Sequence, residues 1–159
     1  MIKMCEVKVL YDGYSVMTGK DQMSANCSCT LIKGVNNVIV DTMTSWDSQK
    51  IIRGEEYKID DNIKVIPTPG HTLSDVTVIV KTEDATEAIV GDLFERFEDI
   101  ENPSIWLEAG SEDPVQQMKN RSKVADAADW IVPGHGPKFQ VTEEMRKTLK
   151  KQMGDETPS

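Results

Sequence analysis

Thr68-Pro69-Gly70-His71-Thr72 and Val132-Pro133-Gly134-His135-Gly136 hold the only two histidines of the chain, and each follows a short apolar run. Proline stops a strand ladder and glycine permits a tight turn, so both imidazoles are presented at a sheet edge rather than inside it. A single His on a surface turn more often carries no function. Two in the same Pro-Gly-His frame are harder to ascribe to chance. A third tip has the same form: Ala88-Ile89-Val90-Gly91-Asp92 is an apolar strand ending in Gly-Asp. Alone, Asp92 reads as a turn or capping carboxylate. With the histidines it makes two imidazoles and a carboxylate from three strand ends, the minimum protein ligand set of a catalytic zinc site that keeps a position for water.

Working outward, the first half alternates as strands do. Cys5–Leu10 places Cys5, Val7 and Val9 on one side. Thr30–Lys33 and Val38–Val40 flank Gly34-Val35-Asn36-Asn37, a hairpin signal because Gly and Asn accept positive φ. Val38–Asp41 delivers another carboxylate at a strand tip. Glu56–Ile59 and Asn62–Pro67 form a pair around Asp60-Asp61, and Val76–Val80 and Ala88–Val90 form a hairpin through the charged turn Lys81–Glu87. Phe94–Gly110 has weak periodicity and reads as an irregular loop. A helix is expected over Glu112–Ala128, with Ser111 as N-cap and Pro114 in its first turn. Trp130–Val132 is a short strand, and Thr142 caps a last helix. Strands followed by helices, with a helix between the last two strands, indicate a layered α/β or α+β sandwich.

The 159 residues suffice for one domain with a sizeable core, and 38% apolar with 28% charged is ordinary for a globular protein. No apolar run approaches the roughly 20 residues of a membrane span, so no membrane association is expected. No secretory signal is visible at Met1–Glu6, which makes cytosol or nucleus the default. The net charge of −9 disfavours broad nucleic-acid coating. A nucleic-acid enzyme with locally positive bound cations stays open. Cys5, Cys27 and Cys29 form no CxxC. Cys27 and Cys29 share a strand face and could be soft metal ligands, though buried packing cysteines are commoner. Asn26-Cys27-Ser28 and Asn120-Arg121-Ser122 match the glycosylation sequon and are read as chance.

Thr-Pro-Gly-His-Thr, Val-Gly-Asp and Val-Pro-Gly-His-Gly, in this order and spacing, resemble the later motifs of the metallo-β-lactamase superfamily. The glyoxalase II-like branch, whose bridging ligand is Asp, is the nearest. Asp41-Thr42 resembles the early strand-Asp motif, and Ser45-Trp46-Asp47, Asp75-Val76 and Leu93-Phe94 extend the likeness. The resemblance implies an αββα sandwich. One such domain would cover 1–153, internally shortened near 48–56, and 154–159 would be a disordered tail. It implies zinc, two ions per site in intact relatives, with His71 on the first metal, Asp92 bridging, and His135 on the second. Asp41 would orient ligands from behind. No protein side chain beyond these is implied as catalytic, because the attacking water is held by metal. Some relatives in this family are associated with endoribonuclease cleavage of histone pre-mRNA 3′ ends, and with homodimers in cytosol and nucleus. Glyoxalase II-like relatives imply thioester or lactone hydrolysis instead.

The family's His-x-His-x-Asp-His motif is absent, since only two histidines exist. Its place would lie between the Asp41 strand and the Asn62–Pro67 strand, where only Thr42–Asp61 stands. The lost material is on the order of two βα units. Weak or single zinc occupancy, impaired hydrolysis, uncovered apolar surface and marginal stability are the expectations. A non-catalytic isoform or fragment with a regulatory or dimerising role is the competing one.

Overall fold

A computed structural model describes residues 5–20, 22–34, 37–40 and 56–154. Its strands are β1 (Glu6–Tyr11), β2 (Tyr14–Gly19), β3 (Gln22–Asn26), β4 (Cys29–Lys33), β5 (Asn37–Val40), β6 (Tyr57–Lys58), β7 (Ile63–Pro67), β8 (Val76–Lys81), β9 (Thr86–Gly91), β10 (Trp130–Pro133) and β11 (Phe139–Gln140). The helices are α1 (Ser104–Ala109), α2 (Pro114–Ala127) and α3 (Glu143–Gly154), with a 3₁₀ turn at Phe97–Ile100.

The described strands form a six-stranded sheet, β11-β10-β9-β8-β7-β6, a three-stranded sheet, β1-β4-β5, and the hairpin β2-β3. Only β9 and β10 run parallel in the large sheet, and α2 lies in the crossover between them. Both faces of that sheet are buried, which explains why β8 and β9 read as nearly unbroken apolar runs. Ile66, Ile79, Ala88, Val90 and Ile131 pack against Val124, Ala125 and Leu149 of the helices. Ile63, Val78, Val80, Ile89 and Val132 face the small sheet, meeting Ile32, Val7, Val9, Val38 and Val40. The strand period of two thus divides one apolar run between two cores. This is an α+β sandwich.

The outer face of the small sheet carries Leu10 and Ile39, 47% and 52% exposed. No helix among the described residues covers it, so the described layers are helices, large sheet and small sheet.

Several local readings need correcting. Phe94–Gly110 is not an irregular loop: it holds the 3₁₀ turn and α1, whose Trp106 is 1% exposed. Its apolar residues pack against Arg121 and other helix neighbours, so no periodic stripe was available to read. The N-cap of α2 is Asp113, not Ser111: Gln116 N donates to Asp113 Oδ1 at 2.9 Å. The Ser111 hydroxyl donates instead to Gly70 O at 3.0 Å. Thr142 does cap α3, accepting from Met145 N at 3.2 Å. The hairpin β2-β3 and the strand β11 went unread. Asp41 and the Ser45-Trp46-Asp47 motif lie outside the described residues, as do positions 155–159 of the tail. No helix among the described residues is long and apolar enough to cross a membrane.

Candidate metal centre

Three loops at the ends of β7, β9 and β10 converge on one rim of the sandwich. The loop after β7 is fixed from several sides. Thr68 Oγ1 and Thr77 Oγ1 lie 2.9 Å apart in the interior, and Asn120 Nδ2 donates to Pro69 O at 2.7 Å. Gly70 O accepts from Asp113 N at 2.9 Å, and His71 O from Glu112 N at 3.0 Å. Gly70 is required by close approach, because a Cβ there would lie 2.4 Å from Gln117 Cα. The next turn is pinned by Asp75, which accepts from Thr72 N at 2.8 Å and from the Thr72 hydroxyl at 2.5 Å.

His71 Nδ1 lies 2.8 Å from Gly110 O. A carbonyl can only accept, so that nitrogen carries the proton and Nε2 presents its lone pair to the rim. Metal-binding histidines are commonly oriented this way. Nε2 lies 3.5 Å from Asp92 Oδ2, while His135 Nε2 lies 3.2 Å from Asp92 Oδ1. The two carboxylate oxygens therefore face different imidazoles.

Asp92 is placed by Gly91, whose φ of +53° lies in the left-handed region, and by Gln117 Nε2, which donates to Asp92 O at 3.1 Å. His135 is set by Gly134, whose N donates to Phe94 O at 3.0 Å and whose O accepts from Ser28 N at 2.8 Å. A Cβ on residue 134 would stand 2.0 Å from Asp92 Oδ1. Both Pro-Gly-His glycines are thus demanded by a neighbouring part of the site.

Burial pushes the Asp92 carboxyl up, but the His135 hydrogen bond and the charges of His135 and His71 outweigh it, leaving it below its ordinary value. Glu95 behaves oppositely. Burial, followed by the adjacent Asp92 charge, raises it to about 7, with the two imidazoles only partly offsetting this. Its Oε2 lies 3.8 Å from His135 Nε2. Behind it, Asp99 and Arg121 form a fully buried pair at 2.5 Å. Arg121 Nη1 donates to Leu93 O at 2.8 Å, Asp99 Oδ2 accepts from Glu95 N at 2.7 Å, and the guanidinium lies 4.0 Å over the Phe94 ring. This clamp holds the whole 92–99 segment. Glu95, Asp99 and Arg121 escaped the sequence reading. The signal available was a carboxylate three residues beyond Gly-Asp; nothing local announced the Arg–Asp pair.

A cleft of about 400 Å³ opens beside Cys27, Ser28, His71, Thr72, Asp75 and Asp92. Donor atoms in a tetrahedral zinc site stand roughly 3.3–3.8 Å apart, given bond lengths of about 2.0–2.3 Å. The 3.2 and 3.5 Å separations here are close to that spacing. The mixed N and O donors suit a borderline divalent ion. The residues present therefore fit a metal.

Among known proteins, 82 residues are 43% identical to metallo-β-lactamase domain-containing protein 1 of Xenopus laevis, covering 51% of this chain and 34% of that protein. The human protein of the same name is 41% identical over 93 residues, 57% of this chain and 34% of the relative. An uncharacterised Caenorhabditis elegans protein is 35% identical over 106 residues, 65% of this chain and 29% of that one. The chain thus spans about a third of the length of these relatives. A crystal structure of a candidate metallo-β-lactamase from Thermotoga maritima superposes with a TM-score of 0.60 at 16% identity, over 86% of this chain and 99% of that one. No protein-family model matches.

Proposed function

We propose that the chain is a member of the metallo-β-lactamase superfamily and a zinc-dependent hydrolase built on His71, Asp92 and His135, a reading supported by its likeness to the relatives above and by the shared fold. The observation that carries this reading is the convergence of the three side chains, with each Asp92 oxygen within 3.5 Å of a different Nε2. When bound, the metal supplies an acidified water and charge compensation for a developing oxyanion. The chain's own residues supply the rest. Gly110 fixes the His71 tautomer, Gly134 leaves room for the Asp92 carboxylate, and the His135 hydrogen bond and the two imidazoles, acting against burial, favour its anionic form.

For the substrate, the resemblance noted above suggests RNA, with endonucleolytic cleavage of histone pre-mRNA 3′ ends as the specific reaction. The net charge of −9 favours a small thioester or lactone instead. Zinc-loaded protein assayed on a histone pre-mRNA fragment and on an S-acyl-glutathione separates the two. Turnover of neither substrate by zinc-loaded protein would refute the hydrolase reading for this chain.

A specific observation supports a second reading. With two histidines in the chain, the His-x-His-x-Asp-His donors cannot be supplied. A regulatory fragment that associates with a longer counterpart follows from that loss. Sedimentation of this chain mixed with the longer form tests it, and two independent species would refute it.

A further inference from the structure

His71, Asp92 and His135 are three donors, one short of a closed zinc site and far short of two. Two more side chains stand at the same rim. We propose that Glu95 and Cys27 complete the donor set, so that His71–Asp92–Glu95 and Cys27–Asp92–His135 form two ligand groups sharing Asp92; the inference rests on the reading of this rim as a divalent-cation site.

In each group the donor atoms all lie within 4.8 Å of one another. Asp92 is already divided between them, Oδ2 toward His71 and Oδ1 toward His135. Glu95 is 6% exposed, and its carboxylate faces a second carboxylate and two imidazoles. A buried carboxylate and a half-buried one this close repel, and a cation between them removes the repulsion. Backbone bonds hold Glu95 in place on both sides: its N donates to Asp99 Oδ2 at 2.7 Å, and its O accepts from His135 N at 2.9 Å.

Cys27 belongs to a different part of the chain, between β3 and β4, yet it is tied to the His135 tip. The Ser28 hydroxyl donates to Pro133 O at 2.7 Å and itself accepts from Gly13 N at 2.9 Å. Ser28 N donates to Gly134 O at 2.8 Å. Cys5 is buried in the core, as packing cysteines are, whereas Cys27 is only half-buried and lines the cleft. A thiolate beside an imidazole and a carboxylate is a donor set that suits zinc or cobalt.

The test is titration of the full chain, stripped by chelator, with Co²⁺ followed by absorption and with Zn²⁺ followed by calorimetry. The wild type is expected to show a thiolate-to-cobalt charge-transfer band, lost in Cys27→Ser. Glu95→Gln is expected to weaken the tighter event by more than about tenfold, at least the loss typical of a disturbed supporting residue. Glu95→Asp, which keeps the charge but withdraws the oxygen, carries the same expectation should the glutamine variant fold poorly. His71→Ala marks loss of the underlying site. If His71→Ala abolishes binding while the Glu95 variants and Cys27→Ser bind as wild type does, the two added ligands are wrong and the three-residue site stands. If the wild type binds neither ion, both readings fall together.

Discussion

Gly134→Ala is the substitution for which the structure gives the clearest arithmetic. The new methyl would stand 2.0 Å from Asp92 Oδ1 and 3.1 Å from the Gly91 carbonyl carbon, whereas ordinary contact begins at 3.4 Å. The oxygen must therefore retreat by about 1.4 Å, the difference between 3.4 and 2.0 Å. The backbone cannot yield instead, because Gly134 N and O are both bonded, to Phe94 O and Ser28 N. Moving the carboxylate off its rotamer and over-packing the rim costs about 1–3 kcal/mol. For a chain of this size that lowers Tm by roughly 2–12 °C. A displacement of this order at a ligand should weaken zinc about 10–100-fold. Calorimetric zinc titration and thermal unfolding read the two effects. Gly136→Ala is the control: its Cβ would meet Arg96 Cβ at 3.0 Å, so a few tenths of an ångström suffice and affinity should hold. Unchanged zinc affinity and Tm in Gly134→Ala would refute the reasoning.

Three further outcomes are expected. Arg121→Met leaves Asp99 charged and buried without its partner, costing about 3–5 kcal/mol in urea unfolding; a loss under 1 kcal/mol would contradict the clamp. Gly70→Ala drives a methyl to 2.4 Å from the Gln117 backbone, so destabilisation of about 1–3 kcal/mol or more is expected by the same assay. Glu95 is raised from 4.5 to about 7 in the fold, so its stabilising contribution is fully present below pH 4.5 and is lost as pH rises through about 7. Metal-free protein should lose up to about 3 kcal/mol across that window, and Glu95→Gln should flatten the profile. Asp92 acts oppositely: its lowered carboxyl stabilises above pH 3.8, and that contribution disappears as pH falls below it.

The elements that sequence alone placed well are those whose local chemistry agrees with their packing. The β4–β5 pairing stands where the sequence put it, and the strand pair turned by Asp60, whose Oδ1 accepts from Asn62 N and Ile63 N, and the Thr142 cap use side chains within a few residues. The three polar tips were legible because Pro-Gly and Gly before a donor encode both the end of a strand and the space a site needs. The failures share one cause. Trp106 and Arg121 are buried by partners distant in sequence, so α1 shows no amphipathic period and nothing local marks Arg121 as buried. Ser111 looked like a cap because its hydroxyl suits one, and tertiary contact with Gly70 O took it elsewhere. The staple between Ser28 and Gly134 that brings Cys27 to the rim is likewise formed across the chain and has no local signal.

The rim formed by the β7, β9 and β10 tips is proposed to hold a divalent cation. Crystals grown with zinc, measured on both sides of the zinc absorption edge, test it most directly. Anomalous density is expected about 2.0–2.2 Å from His71 Nε2, His135 Nε2 or both, and from an Asp92 oxygen. Zinc density confined to other parts of the molecule, with the two imidazoles and the carboxylate bonded only to each other, would contradict it.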